Sequence, residues 1–240
     1  MWSGPRNIST AMMRAFENRP DCAVTDEPFY AAYLAETGLD HPMREEVLAS
    51  QPRDWRAVAA SLVADEPAPI FYQKHMTHHM LPGFGVDWAG ACRNAFLIRD
   101  PVAVLASYVK TRAEVTLEDI GVVRQHELFD REAQRLGRSP PVVDSADVLA
   151  DPRRTLGALC AALDIPFQEA MLAWPAGPRR SDGVWAPAWY QAVERSTGFA
   201  APDRVAAAAD GARPLSDPLR RIADAARPHY ESLARRRIAG

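Results

Sequence analysis

Short apolar runs of strand length alternate along this chain with segments that have the spacing of amphipathic helices. This alternation is typical of a largely parallel sheet with helices on its faces, because parallel strands need crossover connections that are usually helical. The candidate strands are Asp21–Thr25, Pro69–His75, Asn94–Arg99 and Pro141–Asp144. The pattern therefore predicts an α/β fold whose central, mostly parallel sheet is flanked by helices.

Helix signals fall between and after these runs. Ser9–Asn18 begins with hydroxyl residues, and Pro101–Arg112 has proline in its first turn, as helix N-termini often do. Further helices are expected over Leu34–Ala59 on the surface, over Asp151–Leu163 and over Asp217–Arg236. Trp174–Trp189 is crowded with Gly, Pro and Trp, and we interpret it as a long functional loop.

The length of the chain sets the number of domains that we expect. The 240 residues, of which 48% are hydrophobic, suffice for one sizeable core, so residues 1–240 are predicted to form one domain. Only Met1 and Trp2 precede the polar loop that starts at Ser3. The strand expected before that loop is therefore predicted to be truncated or missing, which would leave its two neighbours unpaired.

Charge and cysteine content narrow the classes of partner. The formal net charge is −3, so no overall positive field favours nucleic acid, and an anion must be bound locally. Lys74 and Lys110 are the only lysines among the basic residues, and arginine fits phosphate oxygens in a bidentate way. The separated cysteines Cys22, Cys92 and Cys160 indicate neither a disulfide framework nor a zinc site. A cytoplasmic protein without a membrane span is expected.

A polar loop leads into the first predicted helix. It reads Ser3-Gly4-Pro5-Arg6-Asn7-Ile8-Ser9-Thr10. Unpaired N–H groups and the positive end of the helix dipole favour an anion at such a place, and Arg6 can add a full charge. The G-x-x-x-x-G-K-[ST] motif of nucleoside triphosphatases is absent. From the spacing alone, an ordinary capped helix after a turn explains the loop equally well.

A second candidate anion site follows the apolar run that ends at Ile98. Arg99 stands at the carboxyl end of a predicted strand, where open α/β sheets bind ligands. Ser107 lies about two turns along the next predicted helix. The alternative is that Arg99 pairs with Asp100 and that Ser107 is an ordinary helix serine.

Together these segments resemble the P-loop sulfotransferase superfamily. Pro5–Thr10 resembles its 5′-phosphosulfate loop at the proline, the cation and both hydroxyls, and Arg99–Tyr108 fits its R-x-P-x-x-x-x-x-S-Y motif for the 3′-phosphate. Asp147–Pro166 is similar to a structural stretch of the same family. The resemblance implies a P-loop NTPase-like three-layer fold and 3′-phosphoadenosine 5′-phosphosulfate (PAPS) as the co-substrate.

The chain also departs from the family pattern. Ile8 stands where the family loop has glycine, and Ala11 stands where an aromatic residue often stacks on adenine. Arg179 and Arg180 begin a stretch that loosely resembles the basic–glycine–tryptophan cofactor loop, so both are expected to bind the nucleotide. For Trp185, in the same stretch, the alternative to a role in the cofactor loop is packing in the core or in a lid.

The resemblance leaves two candidates for the general base. Glu27 matches a glutamate that some members carry after the loop, whereas His75 matches the histidine of a K-x-H strand in cytosolic members. We favour Glu27, with Lys74 stabilising negative charge on the leaving oxygen. His78 and His79 lack the H-E-x-x-H pattern of a metal site, and a solvated turn is expected there.

The expected reaction is in-line displacement without a metal. Arg6, Ser9 and Thr10 would hold the phosphosulfate, and a hydroxyl or amine of a small molecule would accept the sulfuryl group. Tyr30, Tyr33 and Trp88 suggest an aromatic acceptor lining, although the acceptor itself stays open. One alternative is an ATP-dependent P-loop phosphotransferase, in which Asp100 would resemble a Walker B aspartate; another is a non-catalytic nucleotide-binding relative.

Overall fold

A computed structural model of the chain describes residues 1–64, 68–109, 114–199 and 215–238. Five strands form one sheet in the order β2-β3-β1-β4-β5, and each neighbouring pair is parallel. The strands are β1 Trp2–Ser3, β2 Cys22–Asp26, β3 Ile70–Met76, β4 Phe96–Ile98 and β5 Val142–Asp144. The predicted α/β fold with a central parallel sheet is confirmed.

The first strand is short, but it is present. β1 has two residues and lies between β3 and β4, where Trp2 pairs with His75 on one side and Phe96 on the other. Of the two predicted alternatives, a wholly missing strand is therefore not what the structure shows, because even two residues place the following loop at the centre of the sheet edge.

Helices cover both faces of the sheet. In the described part of the chain they are α1 Ser9–Glu17, α2 Tyr30–Thr37, α3 Arg44–Ser50, α4 Trp55–Leu62, α5 Pro101–Tyr108, α6 Val122–Leu136, α7 Ser145–Ala150, α8 Pro152–Ala162, α9 Ala186–Trp189, α10 Gln191–Glu194 and a last helix Asp217–Ala234. Short 3₁₀ turns span Thr77–His79, Asp87–Ala91 and Glu169–Leu172. Lys110 and residues 111–112 of the predicted Pro101–Arg112 helix lie outside the described residues.

The segment Leu34–Ala59 differs from its prediction. It forms the end of α2, all of α3 and most of α4, because Gly38 adopts a left-handed conformation with φ 67° and Pro52 separates the last two helices. These helices are also not merely surface elements, since Leu34, Val47 and Val58 are buried.

Two hydrophobic clusters fill the space between the sheet and its helices. One contains Phe16 of α1 and Leu156 of α8. The other contains Phe129 of α6 and Leu233 of the last helix. The three layers hold the sheet edge, and the loops that leave it, in a fixed arrangement.

The described residues contain neither a membrane-spanning helix nor a cluster of metal-binding side chains. None of the described helices is long and apolar enough to cross a membrane. Within the same residues, His, Cys, Asp and Glu side chains form no group of three or more that could hold a metal ion.

Candidate active site

The carboxyl ends of four strands meet at one cleft of about 520 Å³. Arg6 follows β1, Glu27 follows β2, Lys74 lies near the end of β3 and Arg99 follows β4, and all four line the cleft. The strand order places them across the sheet edge as Glu27, Lys74, Arg6 and Arg99. With neighbouring strands about 4.8 Å apart, this row spans about 14 Å. Open parallel sheets bind ligands at this edge.

The loop after β1 faces the cleft along its whole length. Its residues Pro5, Arg6, Asn7, Ile8, Ser9 and Thr10 all line the cleft. Ile8 is the N-cap of α1, and no side chain caps the helix. The alternative of an ordinary capped helix is therefore not what the structure shows, and the first N–H groups of α1 remain available to an anion.

Two residues of the loop have left-handed backbone conformations. Arg6 has φ 57° and Ile8 has φ 43°. A β-branched residue in this region costs about 1–2 kcal/mol, which explains why glycine suits the position. Asn7, buried between them, donates from Nδ2 to the carbonyl oxygen of Leu97 at 2.6 Å, and this bond ties the turn to β4.

The two predicted anion segments touch each other. Arg6 donates from Nε to Ser107 Oγ at 3.0 Å, and Arg99 donates from Nη1 to the carbonyl oxygen of Arg6 at 2.6 Å. Asp100 does not pair with Arg99; its carboxylate accepts from the backbone N–H of Val102 at 2.8 Å and so caps α5. The two segments form one cationic cluster rather than two separate sites.

Neither guanidinium in this cluster has a direct ion-pair partner among the carboxylates that the structure describes. Burial lowers the pKa of both groups. The charge of Arg6 lowers the pKa of Arg99 further, while the more distant carboxylates of Asp144 and Asp100 oppose this decrease. Two half-buried positive charges that repel each other, beside an uncapped helix start, form an unfavourable arrangement that an anion would relieve.

A second charged cluster lies next to the first, and its residues are buried. Lys74 Nζ donates to Asp26 Oδ1 at 2.9 Å, to Glu27 Oε1 at 2.8 Å and to the Tyr190 hydroxyl at 2.6 Å. The Tyr190 hydroxyl in turn donates to Asp26 Oδ2 at 2.7 Å. Although burial opposes it, the two carboxylates raise the pKa of Lys74 well above its usual value, so the ammonium stays charged.

Glu27 is held at the cleft by its backbone as well as its side chain. It has φ 41°, and its N–H donates to the carbonyl oxygen of Lys74 at 3.0 Å. Burial raises the pKa of Glu27, while the ammonium of Lys74 opposes that rise. A carboxylate with a raised pKa beside a substrate cleft suits a general base.

Sequence comparison identifies the family of this fold and site. The model of the family described as "Sulfotransferase domain" matches residues 1–236. The chain belongs to the sulfotransferase domain family. The family match supports a sulfotransferase, an enzyme of the transferase class.

Two curated relatives come from Arabidopsis thaliana. Branched-chain-amino-acid aminotransferase-like protein 1 is 38% identical to this sulfotransferase domain over 204 residues, and protein 2 is 36% identical over 205 residues. Each alignment covers 85% of this chain but 36% of the relative. The chain thus spans about a third of the length of the curated relatives that it matches.

Two solved structures have a similar fold. The sulfotransferase domain from the Synechococcus PCC 7002 olefin synthase has a TM-score of 0.61 at 17% identity, covering 97% of this chain and 92% of that one. The sulfotransferase domain from the curacin biosynthetic pathway has a TM-score of 0.56 at 16% identity, covering 93% and 94%. At these identities the likeness concerns the fold alone.

The structure does not bring His75 of this sulfotransferase domain to the other site residues. Side chains alternate along β3, so His75 and Lys74 point to opposite faces of the sheet. His75 stacks on Trp2 with ring centroids 4.4 Å apart, packs near Trp88 and shares a hydrogen bond with Gln73 Oε1 at 3.1 Å. Burial lowers its pKa well below the usual value. Trp88 likewise faces a different cleft, so it is not an acceptor lining here.

Arg179 and Arg180 also lie away from the cleft of the sulfotransferase domain. Arg179 donates from Nη2 to the carbonyl oxygen of Pro175 at 3.0 Å, and Arg180 is exposed. Neither lines the cleft, although the segment is anchored to α1 by an ion pair of 2.7 Å between Asp182 and Arg14. Arg179 is half-buried, Arg180 is exposed, and their predicted role in nucleotide binding stays a prediction.

Three important residues escaped the sequence analysis. Asp26 and Tyr190 complete the buried charged cluster, and His79 is buried rather than part of a solvated turn. His79 was misjudged because its turn directly continues β3 and packs against α2, which local polarity does not reveal. The segment Trp174–Trp189 contains short helices, and its Trp185 packs in a core cluster.

Proposed function

We propose that this sulfotransferase domain transfers a sulfuryl group from PAPS to a hydroxyl or amine of a small molecule. The observation that carries the proposal is the linked pair of Arg6 and Arg99 at the uncapped start of α1. The Arg99 guanidinium donates to the backbone carbonyl of Arg6, and no described carboxylate forms an ion pair with either side chain. A dianionic phosphate and a phosphosulfate would supply the missing negative charge. The buried pair Lys74–Glu27 stands next in the row, where chemistry would occur.

The two ends of the nucleotide have different partners in this proposal. Ser9, Thr10 and the first N–H groups of α1 hold the 5′-phosphosulfate, whereas Arg99 and Ser107 hold the 3′-phosphate. Arg6 contributes to both, because its guanidinium belongs to the loop yet reaches Ser107. The nucleotide therefore lies across the ends of β1 and β4.

The proposed reaction is an in-line displacement at sulfur that uses the side chains next to the nucleotide. The acceptor oxygen or nitrogen attacks the sulfur, and the bond between sulfur and the bridging oxygen breaks in line. Glu27 takes the acceptor proton, and 3′-phosphoadenosine 5′-phosphate leaves. Lys74 and Arg6 stabilise the charge that develops on the bridging oxygen, so protein cations supply the electrostatic stabilisation.

The two alternatives from the sequence find less support in the contacts. The carboxylate of Asp100 caps α5, so it does not act as the Walker B aspartate that an ATP-dependent phosphotransferase would need. A non-catalytic relative would have no need to bury Lys74, Asp26 and Glu27 together beside a cleft, since buried charge is costly.

A radiolabel experiment tests the proposed function. With ³⁵S-labelled PAPS and an acceptor panel of 4-methylphenol, 4-methylbenzyl alcohol and 4-methylaniline, we expect label in at least one acceptor and an equal amount of 3′-phosphoadenosine 5′-phosphate. Added chelator should change the rate by less than about twofold, because the cations are side chains. Magnesium-dependent transfer from γ-³²P-labelled ATP in place of this reaction would contradict the proposal.

A further inference from the structure

The buried cluster beside the cleft contains two carboxylates but a single ammonium. Lys74 Nζ lies 2.9 Å from Asp26 Oδ1 and 2.8 Å from Glu27 Oε1, and each of its three N–H groups has an acceptor in the cluster. Burial raises the pKa of Tyr190 well above its usual value, so its hydroxyl adds no charge. With both carboxylates ionised, the cluster therefore carries one surplus negative charge, which water screens poorly because the side chains are buried.

The two carboxylates of this cluster have different surroundings. Asp26 Oδ2 accepts from the Tyr190 hydroxyl at 2.7 Å and from the backbone N–H of Gly183 at 3.1 Å, in addition to the bond between Lys74 and Oδ1. These donors stabilise the ionised form of Asp26. Of the two carboxylates, Glu27 alone lines the cleft, and no hydrogen bond from a described residue reaches its Oε2. A proton that arrives from the cleft therefore meets Glu27.

The other titratable and charged groups around the cluster do not supply the surplus charge. The nearest to Glu27 Oε2 is His79 Nδ1 at 4.0 Å, and burial together with His78 and His41 lowers the pKa of His79 well below its usual value, so its ring is uncharged at neutral pH. Burial also raises the pKa of Tyr72, which is therefore uncharged. The remaining groups on neighbouring elements are the Arg14–Asp182 ion pair next to Gly183 and the cations Arg6 and Arg99 farther along the row.

Asp26 therefore offsets the effect of the ammonium on Glu27. Burial raises the pKa of Glu27, Lys74 lowers it, and the carboxylate of Asp26 raises it again. Without Asp26, Glu27 and Lys74 would form a balanced ion pair, in which the carboxylate is a weak base. With Asp26 present, the ammonium is shared between two carboxylates, and Glu27 is the stronger base.

We propose that Asp26 is a positioning residue for sulfuryl transfer, whose carboxylate shares the Lys74 ammonium and so keeps Glu27 basic enough to take the acceptor proton. This rests on the proposed function. When the proton binds to Glu27 Oε2, the cluster becomes neutral, and Lys74 faces one ionised carboxylate instead of two. Its positive field therefore grows while the bond between sulfur and the bridging oxygen breaks and its electron pair stays on that oxygen.

The pH profile of Asp26→Asn tests this role. The amide keeps the size of the side chain and an acceptor oxygen for Lys74, but it removes the surplus charge. A less basic Glu27 stays ionised to a lower pH. With ³⁵S-labelled PAPS and the acceptor that the wild type uses, the midpoint of the acid limb of kcat/KM should therefore move down by at least about one pH unit. A purely structural defect would lower the rate at every pH without this displacement, so an unchanged or raised midpoint would overturn the proposal.

Tyr190→Phe is the matched control within the same cluster. It removes the hydroxyl that joins Lys74 to Asp26 and leaves the number of charges unchanged. Because this hydroxyl lowers the pKa of Glu27, its loss should move the midpoint upward, by less than about half a pH unit. A downward displacement as large as that of Asp26→Asn would assign the effect to lost hydrogen bonds and contradict the role of charge.

A carbon-13 NMR titration of the nucleotide-free wild type tests the same claim without a variant and without turnover. With the side-chain carboxyl carbons of Asp and Glu labelled and assigned through the backbone, Glu27 should take up its proton at a higher pH than an ordinary glutamate, while Asp26 stays ionised. Protonation of Asp26 before Glu27, or titration of Glu27 at or below the ordinary range, would overturn the proposal.

Turnover by the wild type separates this inference from the proposed function. If the wild type transfers the sulfuryl group but Asp26→Asn has the wild-type midpoint, the role of Asp26 alone is wrong. If the wild type transfers no sulfuryl group from PAPS, the proposed function is wrong, and the role of Asp26 is lost with it.

Discussion

Glu27→Gln should lower turnover by about 10²–10⁴-fold and leave nucleotide affinity nearly unchanged. The amide keeps the size of the side chain and can still accept from Lys74, but it cannot take the acceptor proton. Turnover is measured with ³⁵S-labelled PAPS, and affinity by calorimetry with 3′-phosphoadenosine 5′-phosphate. Because burial raises the pKa of Glu27, its carboxylate takes up a proton at a higher pH than an ordinary glutamate does. As the pH is lowered, the wild-type rate should therefore begin to fall at a pH above the usual glutamate pKa range.

Two controls make this result specific. Glu127→Gln removes an exposed carboxylate that pairs with Arg124, and its turnover should match wild type. His75→Phe keeps the ring that stacks on Trp2 and should also retain turnover. Normal turnover in Glu27→Gln, combined with loss in His75→Phe, would move the base to His75.

Lys74→Met should be strongly destabilising as well as inactive. It removes the ammonium between Asp26 and Glu27 and leaves two buried carboxylates without their cation, which typically costs about 3–5 kcal/mol. Urea unfolding at pH 7 measures this loss. Buried carboxylates without a cation have a higher pKa in the folded variant than in the unfolded chain. The loss of stability is therefore full at pH values above the raised pKa of the folded variant, and it should become smaller as the pH falls through that value.

The control for Lys74→Met is a cation at the surface. Arg93→Met removes an ion pair with Asp164 in which both side chains are exposed, and it should cost less than about 1 kcal/mol. If Lys74→Met cost no more than Arg93→Met, or if its cost did not change with pH, the buried charged cluster would not behave as described.

The strands that could be predicted are those with several consecutive apolar residues. The predicted strands Pro69–His75 and Pro141–Asp144 each lie within one residue of β3 Ile70–Met76 and β5 Val142–Asp144. Each contains consecutive apolar residues, Ile70–Tyr72 in the first and Val142–Val143 in the second. β1 could not be predicted, since two residues carry no periodicity.

The site could be predicted only where adjacent residues carry the chemistry. Arg6 and Arg99 stand in local motifs, and both line the cleft. Whether His75 could serve as the base in place of Glu27 depends on which face of β3 meets the cleft, and a shift of one residue reverses that answer. In the structure Lys74 lines the cleft, and His75 does not. Tyr190 joins Asp26 across 164 positions of sequence, a contact that no local pattern encodes.

In the proposed function, Arg99 binds the 3′-phosphate of a nucleotide whose other end lies at the start of α1. The most direct test compares wild type with Arg99→Ala by calorimetry, using 3′-phosphoadenosine 5′-phosphate and adenosine 5′-phosphate. The substitution should weaken binding of the doubly phosphorylated nucleotide by about 10–100-fold and leave the singly phosphorylated one within about twofold. Equal losses for both nucleotides, or no binding of either to wild type, would contradict the account.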